Sequence, residues 1–357
     1  MKKEKAKCYK KIIYYVSSIL CLWMLWLIPA RASTPEMIYM AQLSSPVVQT
    51  GTSTIYKVPP IFATQLPIDK NQYANGNNAY SDLKIPTQVI KTGGYYFLVD
   101  CYHDQVLYTR NFGCPLKEWK VLTSKAKQPH TIASDGQVYL VDDTENHQVL
   151  VFEWKNGRFQ NTQTFSGIGS RPHYITYDAA TASFYVWSSL TGEMYIMKRE
   201  PASGMMYISE ICRINELQGI YVRSFTIYGD MILFPSGDNG YITAVNKNTF
   251  EVVARYPVPE QISGMVQIAP IGNYFYITVS TDLNYNQNDA TMIRVKDLGI
   301  LSAGQYEDVY HLFGITGTPY YITNIDGMYY MANHRSKRGI CRFSVANDVI
   351  QNISLMY

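Results

Sequence analysis

Six segments of this chain repeat one pattern, and that repetition constrains the fold more than any other feature. Each has a short apolar strand, a tight turn, a strand rich in Tyr and Phe, a small polar residue and a polar loop. They read PTQVIKTGGYYFLVD from Pro86, PHTIASDGQVYLVD from Pro129, PHYITYDAATASFYVWS from Pro172, VRSFTIYGDMILFPS from Val222, GMVQIAPIGNYFYITVS from Gly264 and PYYITNIDGMYYMAN from Pro319. The starts are 43, 43, 50, 42 and 55 residues apart. That is the size of a four-stranded propeller blade and exceeds a solenoid repeat of about 20 to 35 residues. Turn pairs stand where hairpins need them: Gly93-Gly94, Asp135-Gly136, Gly229-Asp230, Gly272-Asn273 and Asp326-Gly327. No stretch of the body carries a sustained helical period.

The expected fold is therefore all-β, a six-bladed β-propeller over residues 86–357. Residues 33–85 fit no blade; they hold Pro35, Pro46, Pro59, Pro60 and Pro67 and an Asn-rich run. They read as an irregular lead-in that supplies a closing strand, with residues 37–42 or 54–58 as candidates. A cryptic seventh blade there is the architectural alternative. Composition agrees: 47% hydrophobic and 17% charged residues exclude a disordered chain, and 31 Tyr against 13 Phe favour strands.

The repeat resembles that of six-bladed propellers of the NHL and SMP-30-like superfamily. Pro129-His130-Thr131-Ile132 leading to Leu140-Val141-Asp142 is the best copy, and blades four and five lack the opening Pro. The resemblance covers about three quarters of the chain. It implies a fold, and a fold does not fix a function.

Residues 1–32 carry seven basic groups and one acid, a net charge of +6, which leaves the remaining 325 residues with 24 basic and 27 acidic groups. A body near neutrality has no footprint for a phosphate backbone, so nucleic acid is not an expected partner. The basic end precedes an uncharged apolar run over residues 12–30 and then Ala30-Arg31-Ala32. This reads as a signal peptide of an exported, secreted or envelope protein, or as an uncleaved signal anchor, since 19 uncharged residues would just span a bilayer. Leu20 before Cys21 argues against lipidation.

Four cysteines belong to the body: Cys101, Cys114, Cys212 and Cys341. None forms a CxxC pair. In an oxidising compartment Cys101 and Cys114 could bridge a hairpin; the alternative is four small buried apolar residues. Asn352-Ile353-Ser354 matches a glycosylation sequon.

Propeller topology predicts which residues meet. The start of strand one and the end of strand two share a rim, so Thr87, His130, His173, Arg223, Met265 and Tyr320 should surround the channel mouth. The strand-two ends Asp100, Asp142, Ser188, Ser236, Ser280 and Asn333 recur once per blade, which suits an architectural role in capping turn amides. Of six His, five (His103, His130, His147, His173 and His334) fall on this rim; His311 does not.

Two readings follow. The first is a binding module that takes a protein, peptide or glycan ligand on its rim, through Tyr102, His103, His147 and Tyr285 among the loops and His130, His173, Arg223 and Tyr320 at the channel. A monomer with no cofactor is expected on this reading. The second is a metal-dependent lyase or hydrolase, with zinc or calcium held by His130 and His173, Arg223 stabilising an oxyanion and Tyr320 acting as acid–base group or third ligand. Pro-His pairs that hold a metal resemble those of the peptidyl-hydroxyglycine amidating lyases, although the third His is missing here. Against both stands a purely structural use, in which each ring donates a hydrogen bond to the next blade. The run HRSKR over residues 334–338 reads as a solvated loop, or with Arg223 as an anion site. No P-loop, Rossmann, HExxH or GxSxG motif occurs.

Overall fold

The structure is a computed structural model that describes residues 48–49, 51–65, 76–281, 284, 286, 290–336 and 338–357. The expected signal or anchor over residues 1–32, the candidate strand over residues 37–42, Tyr285 and Lys337 lie outside them. Among the described residues no helix is long and apolar enough to cross a membrane.

Six antiparallel sheets make a six-bladed propeller, and no seventh sheet occurs among the described residues. The four inner-to-outer strands of each blade come from contiguous sequence. Blade one is Pro86–Thr92, Tyr95–Asp100, Gln105–Thr109 and Lys120–Thr123. The others open with Ile132–Ser134, Pro172–Asp178, Thr226–Tyr228, Gly264–Ile271 and Thr318–Ile325, which line the channel. The two-residue turns close as the sequence requires: Gly93 and Gly94 have φ of 57° and 78°, a mirror-image turn that a side chain would strain.

Burial follows strand position. The second strands Val138–Asp143 and Ser183–Ser188 are buried at every residue, because neighbouring blades cover both faces. This is why they read as unbroken apolar and aromatic runs rather than alternating ones. The outer strand Val252–Pro257 alternates between half-buried and exposed, as a strand with one wet face should. Tyrosines fill the spaces between blades: Tyr139, Tyr185 and Tyr276 are buried in clusters that join blades one and two, three and four, and five and six.

Inner strands splay around the channel, so side chains replace the ladder between them. Thr87 Oγ1 donates to the His130 carbonyl at 2.7 Å, and the Gln88 side chain accepts from the Ile132 amide at 2.8 Å. Further round, Thr131 Oγ1 accepts from Ile175 N at 3.0 Å, Ser224 Oγ donates to the Val266 carbonyl at 2.6 Å, and Gln267 holds both backbone groups of Ile322. Each bond spans one blade boundary.

The lead-in has a different role from the expected one. Residues 54–58 are strand, within Ser53–Phe62, but that strand adds to the outer edge of blade three by pairing with Met206–Ile214. Thr64–Gln65 then pairs with the outer strand of blade two, and Ser53 Oγ reaches the Thr249 carbonyl of blade four at 3.1 Å. The segment straps three blades together. Among the described residues no strand is shared across the closure: the core of blade one (Val89, Leu98, Trp119) packs on Tyr320, Tyr330 and Ile340 of blade six. Tyr357 Oη seals the junction by hydrogen bonding the Cys114 carbonyl at 3.0 Å and Trp119 Nε1 at 3.2 Å.

All four body cysteines are buried free thiols, the second of the two alternatives, and no Cys101–Cys114 bridge forms. Cys101 Sγ lies 3.7 Å from His130 Nε2, and Cys114 Sγ lies 3.5 Å from Thr109 Oγ1.

Candidate functional site

The strand-two ends anchor the rim. Asp100 Oδ1 accepts from the amides of Lys84 and Ile85 at 3.0 and 3.1 Å. Asp142 accepts from the amides of His130 at 2.9 Å and Thr131 at 2.5 Å, and from the hydroxyls of Thr131 and Thr144 at 2.7 Å. Ser188 and Asn333 likewise hold the loops before their own blades, to Ser170 and Thr316. All four are fully buried. Ser280 holds the entry to its own blade through the Gly264 carbonyl at 3.0 Å, so in five blades the small polar residue fixes the entry to the inner strand, whereas Ser236 of blade four turns to the Phe234 carbonyl and Thr243 Oγ1.

The loops after strand two are also built alike. Single 3-10 turns, Cys101–His103, Thr144–Asn146 and Gly237–Asn239, each end on a left-handed residue: Asp104, His147 and Gly240. Two of the rim histidines are consumed here. His103 Nδ1 pairs with Asp100 Oδ2 at 2.6 Å, and its ring stacks on Tyr80 at 3.6 Å. His147 Nδ1 accepts from the Arg171 amide at 3.0 Å. Neither lines the mouth.

Inside that frame is a cavity of about 300 Å³ at the channel mouth. His130, Arg223 and Tyr320 line it, as the repeat register predicts, together with Tyr102 from its rim loop. Residues two positions earlier also face it: Ile85, Gln128, Arg171, Tyr221 and Thr318. Four of these, Ile85, Gln128, Arg171 and Tyr221, stand in the loops that enter the inner strands, and Gln128 and Arg171 take left-handed backbone there, with φ of 49° and 61°. A period-two pattern does not extend into such loops, so their approach to the mouth was not legible in the sequence. His334 and Arg335 complete the wall from blade six. Thr87 and Met265 are wholly buried and take no part.

His173 is fully buried beneath His130, the two rings stacked with centroids 3.7 Å apart. Its Nδ1 lies 2.9 Å from the Arg223 carbonyl, to which it donates, and its Nε2 accepts from Tyr221 Oη at 3.1 Å. This is the inter-blade bond of the structural alternative, made by the ring that follows the opening Pro. Burial, with His130 and Arg223 adjacent, drives its pKa well below the usual imidazole value, so it stays neutral. His130 Nδ1 contacts Thr144 Oγ1 at 3.0 Å, and Nε2 faces the Cys101 thiol. Two ligands of one metal ion converge their lone pairs on a point; these rings lie face to face, and every ring nitrogen has a protein neighbour. Among the described residues no group of three His, Cys, Asp or Glu side chains is placed to hold a metal. Tyr320 is buried against Arg223 and has its pKa pushed well above the ordinary phenol value, chiefly by desolvation, which makes it a hydroxyl donor rather than a base.

The wall is strongly basic. It contains Arg171, Arg223 and Arg335 and no Asp or Glu. Arg171 pairs with Glu145 at 2.5 Å. Arg223 has no carboxylate within ion-pair distance among the described residues; its guanidinium lies over the Tyr221 ring at 5.0 Å and reaches the Met265 carbonyl at 3.4 Å. At the opposite mouth a second cavity of about 400 Å³ is lined by Tyr174, Tyr177, Gln267 and Asn324, and its one carboxylate, Asp178, is paired with Lys247 at 3.2 Å. The two ends of the channel thus differ in charge.

Comparison with known proteins adds the fold class. No protein-family model matches the chain, and no curated protein does. Solved structures do match: a putative 6-phosphogluconolactonase from Bacteroides uniformis (13% identity, TM-score 0.57, 78% of this chain and 88% of that one), a streptogramin B lyase (16%, 0.53, 79% and 86%) and the hydrazine synthase of Kuenenia stuttgartiensis (15%, 0.52, 76% and 80%). At such identities the likeness is one of architecture, and it establishes this chain as a β-propeller.

Proposed function

We propose that this is an exported propeller that binds a small organic anion at the basic mouth of its channel. The observation that carries the reading is Arg223, a half-buried guanidinium with no carboxylate partner in a wall of three arginines and no acid. A guanidinium taken partly out of water with no carboxylate in contact is costly, since Asp238 acts on it only from beyond ion-pair distance, and an anionic ligand would supply that contact. The geometry favours binding over chemistry: His173 and Tyr320 titrate far from neutrality, and His130 is held on both nitrogens. Export rests on the basic, then apolar, amino-terminal sequence.

The test is titration of the protein and of Arg223→Gln with a panel of small carboxylates and phosphates by calorimetry. A charge-assisted hydrogen bond contributes about 1.5–3 kcal/mol, so the variant should lose roughly 10- to 100-fold in affinity. Equal binding by both proteins would remove Arg223 from the site and with it the proposed function.

A further inference from the structure

His173 is tied to the basic wall more closely than an inter-blade bond requires. It stands on the inner strand of blade three and reaches the loop that enters the inner strand of blade four, at Tyr221 and Arg223. Its Nδ1 meets the Arg223 carbonyl at 2.9 Å; a carbonyl can only accept, so Nδ1 carries the proton and Nε2 is the acceptor for Tyr221 Oη at 3.1 Å. Tyr321 Oη, 3.1 Å from Nδ1, donates to the same Arg223 carbonyl at 2.9 Å. The backbone of Arg223 is therefore held twice. What His173 alone supplies is a partner for Tyr221 Oη, which has no other among the described residues.

That hydroxyl matters because of the ring that carries it. The Arg223 guanidinium lies over the Tyr221 ring at 5.0 Å, and its one hydrogen bond among the described residues, to the Met265 carbonyl, is long at 3.4 Å. The aromatic face is the main support of the charge, and that attraction depends on where the ring stands. Asp238 Oδ2 accepts from the Tyr221 amide at 3.2 Å and fixes the near end of the residue; the bond to His173 fixes the far end. His173 is fixed in turn, fully buried and stacked on His130.

We infer that His173 is the positioning residue of the anion site: it stays out of contact with the ligand and holds the Tyr221 ring as the platform for the Arg223 guanidinium. This rests on the anion-binding reading and carries it one layer behind the wall. A guanidinium already held in place loses less freedom when an anion arrives, so the imidazole contributes to affinity by preorganisation.

His173→Phe keeps a ring to stack on His130 and removes the acceptor; Tyr221→Phe keeps the platform and removes the donor. In calorimetric titrations with benzoate and with inorganic phosphate, each variant should bind roughly 3- to 10-fold more weakly than the wild type, and the double variant no more weakly than either. Without ligand, the NMR signal of the Arg223 Nε–H group, identified as the one missing from Arg223→Gln, should broaden in both single variants. Full affinity in His173→Phe, with binding still weakened in Arg223→Gln, overturns the positioning role and leaves the anion site standing. Losses that add in the double variant also overturn it, because Tyr221 Oη would then act without His173. A wild type that binds neither anion, or no better than Arg223→Gln does, overturns both readings. If His173→Phe does not fold, an Arg223 signal unchanged in Tyr221→Phe overturns the positioning role by itself.

Discussion

His334 should make this propeller sensitive to mild acid. Desolvation, together with His130 and the nearby arginines, depresses its pKa to about 3 in the folded protein, against an ordinary value near 6.5. Above pH 6.5 the ring is neutral whether the chain is folded or not, and it adds no pH dependence. Below that, the unfolded chain takes up a proton that the folded one refuses, so stability falls with falling pH until about pH 3. The slope is about 1.4 kcal/mol per pH unit, and from pH 7.5 to 4.5 the loss is about 2.7 kcal/mol. A typical domain is stable by only about 5–15 kcal/mol, so this one ring is a substantial fraction. His173, also depressed by burial, acts in the same direction. Urea unfolding at the two pH values, followed by the fluorescence of buried Trp119 and Trp187, measures the loss. Comparison with His334→Phe cancels the carboxylates that titrate in both proteins, and the variant should lose about 2.7 kcal/mol less. An equal loss in the two proteins would refute the assignment of a refused proton to His334.

Asp142→Asn should cost about 2–4 kcal/mol in urea unfolding, because an amide –NH2 would face a carboxylate position filled by two backbone N–H and two hydroxyl donors; a cost below about 0.5 kcal/mol would show that the rim is fixed by other bonds. Cys101, Cys114, Cys212 and Cys341 should resist alkylation in the native protein and react fully in denaturant without reductant, whereas a 101–114 crosslinked peptide in the mass spectrum would restore the discarded bridge. Stoichiometric zinc should leave the melting temperature unchanged, since His130 and His173 spend their nitrogens on protein partners; a rise that disappears in His130→Ala would reinstate the metal reading.

The architecture was legible because a propeller writes the same local rule six times: an opener, a two-residue turn and a doubly buried strand. The dipeptides Gly93-Gly94 and Asp326-Gly327 fix hairpin register through backbone sterics alone, and runs such as FYVW over residues 184–187 announce two covered faces. The site was legible only in part. His130, Arg223 and Tyr320 could be placed because the repeat register carries them to the mouth, and His334 with Arg335 because the basic run stands out. His173 shares that register yet sits one layer lower, where the stacking of His130 above it decides its fate. His103 and His147 were misplaced by their loops: a 3-10 turn with a left-handed end turns both away from the cavity. The strap over residues 53–65 was hidden because edge pairing on blades two and three depends on distant partners that no local pattern records.

The seal between blades one and six has a consequence for the mouth. Ile85, Cys101 and Tyr102 stand on one side of it, and Thr318, Tyr320, His334 and Arg335 on the other. Among the described residues no hydrogen-bonded strand crosses that line, so it is a seam along which the ring can part while each sheet stays whole. A molecule lodged in the mouth touches both banks of the seam, and whatever it gains in binding is added to the work of opening the ring. Occupancy and closure are therefore one equilibrium seen from two ends. Slowed amide exchange along Pro86–Thr92 and Thr318–Ile325, extending beyond the lining residues Thr318 and Tyr320 to the far ends of both strands, would be the mark of a seated ligand.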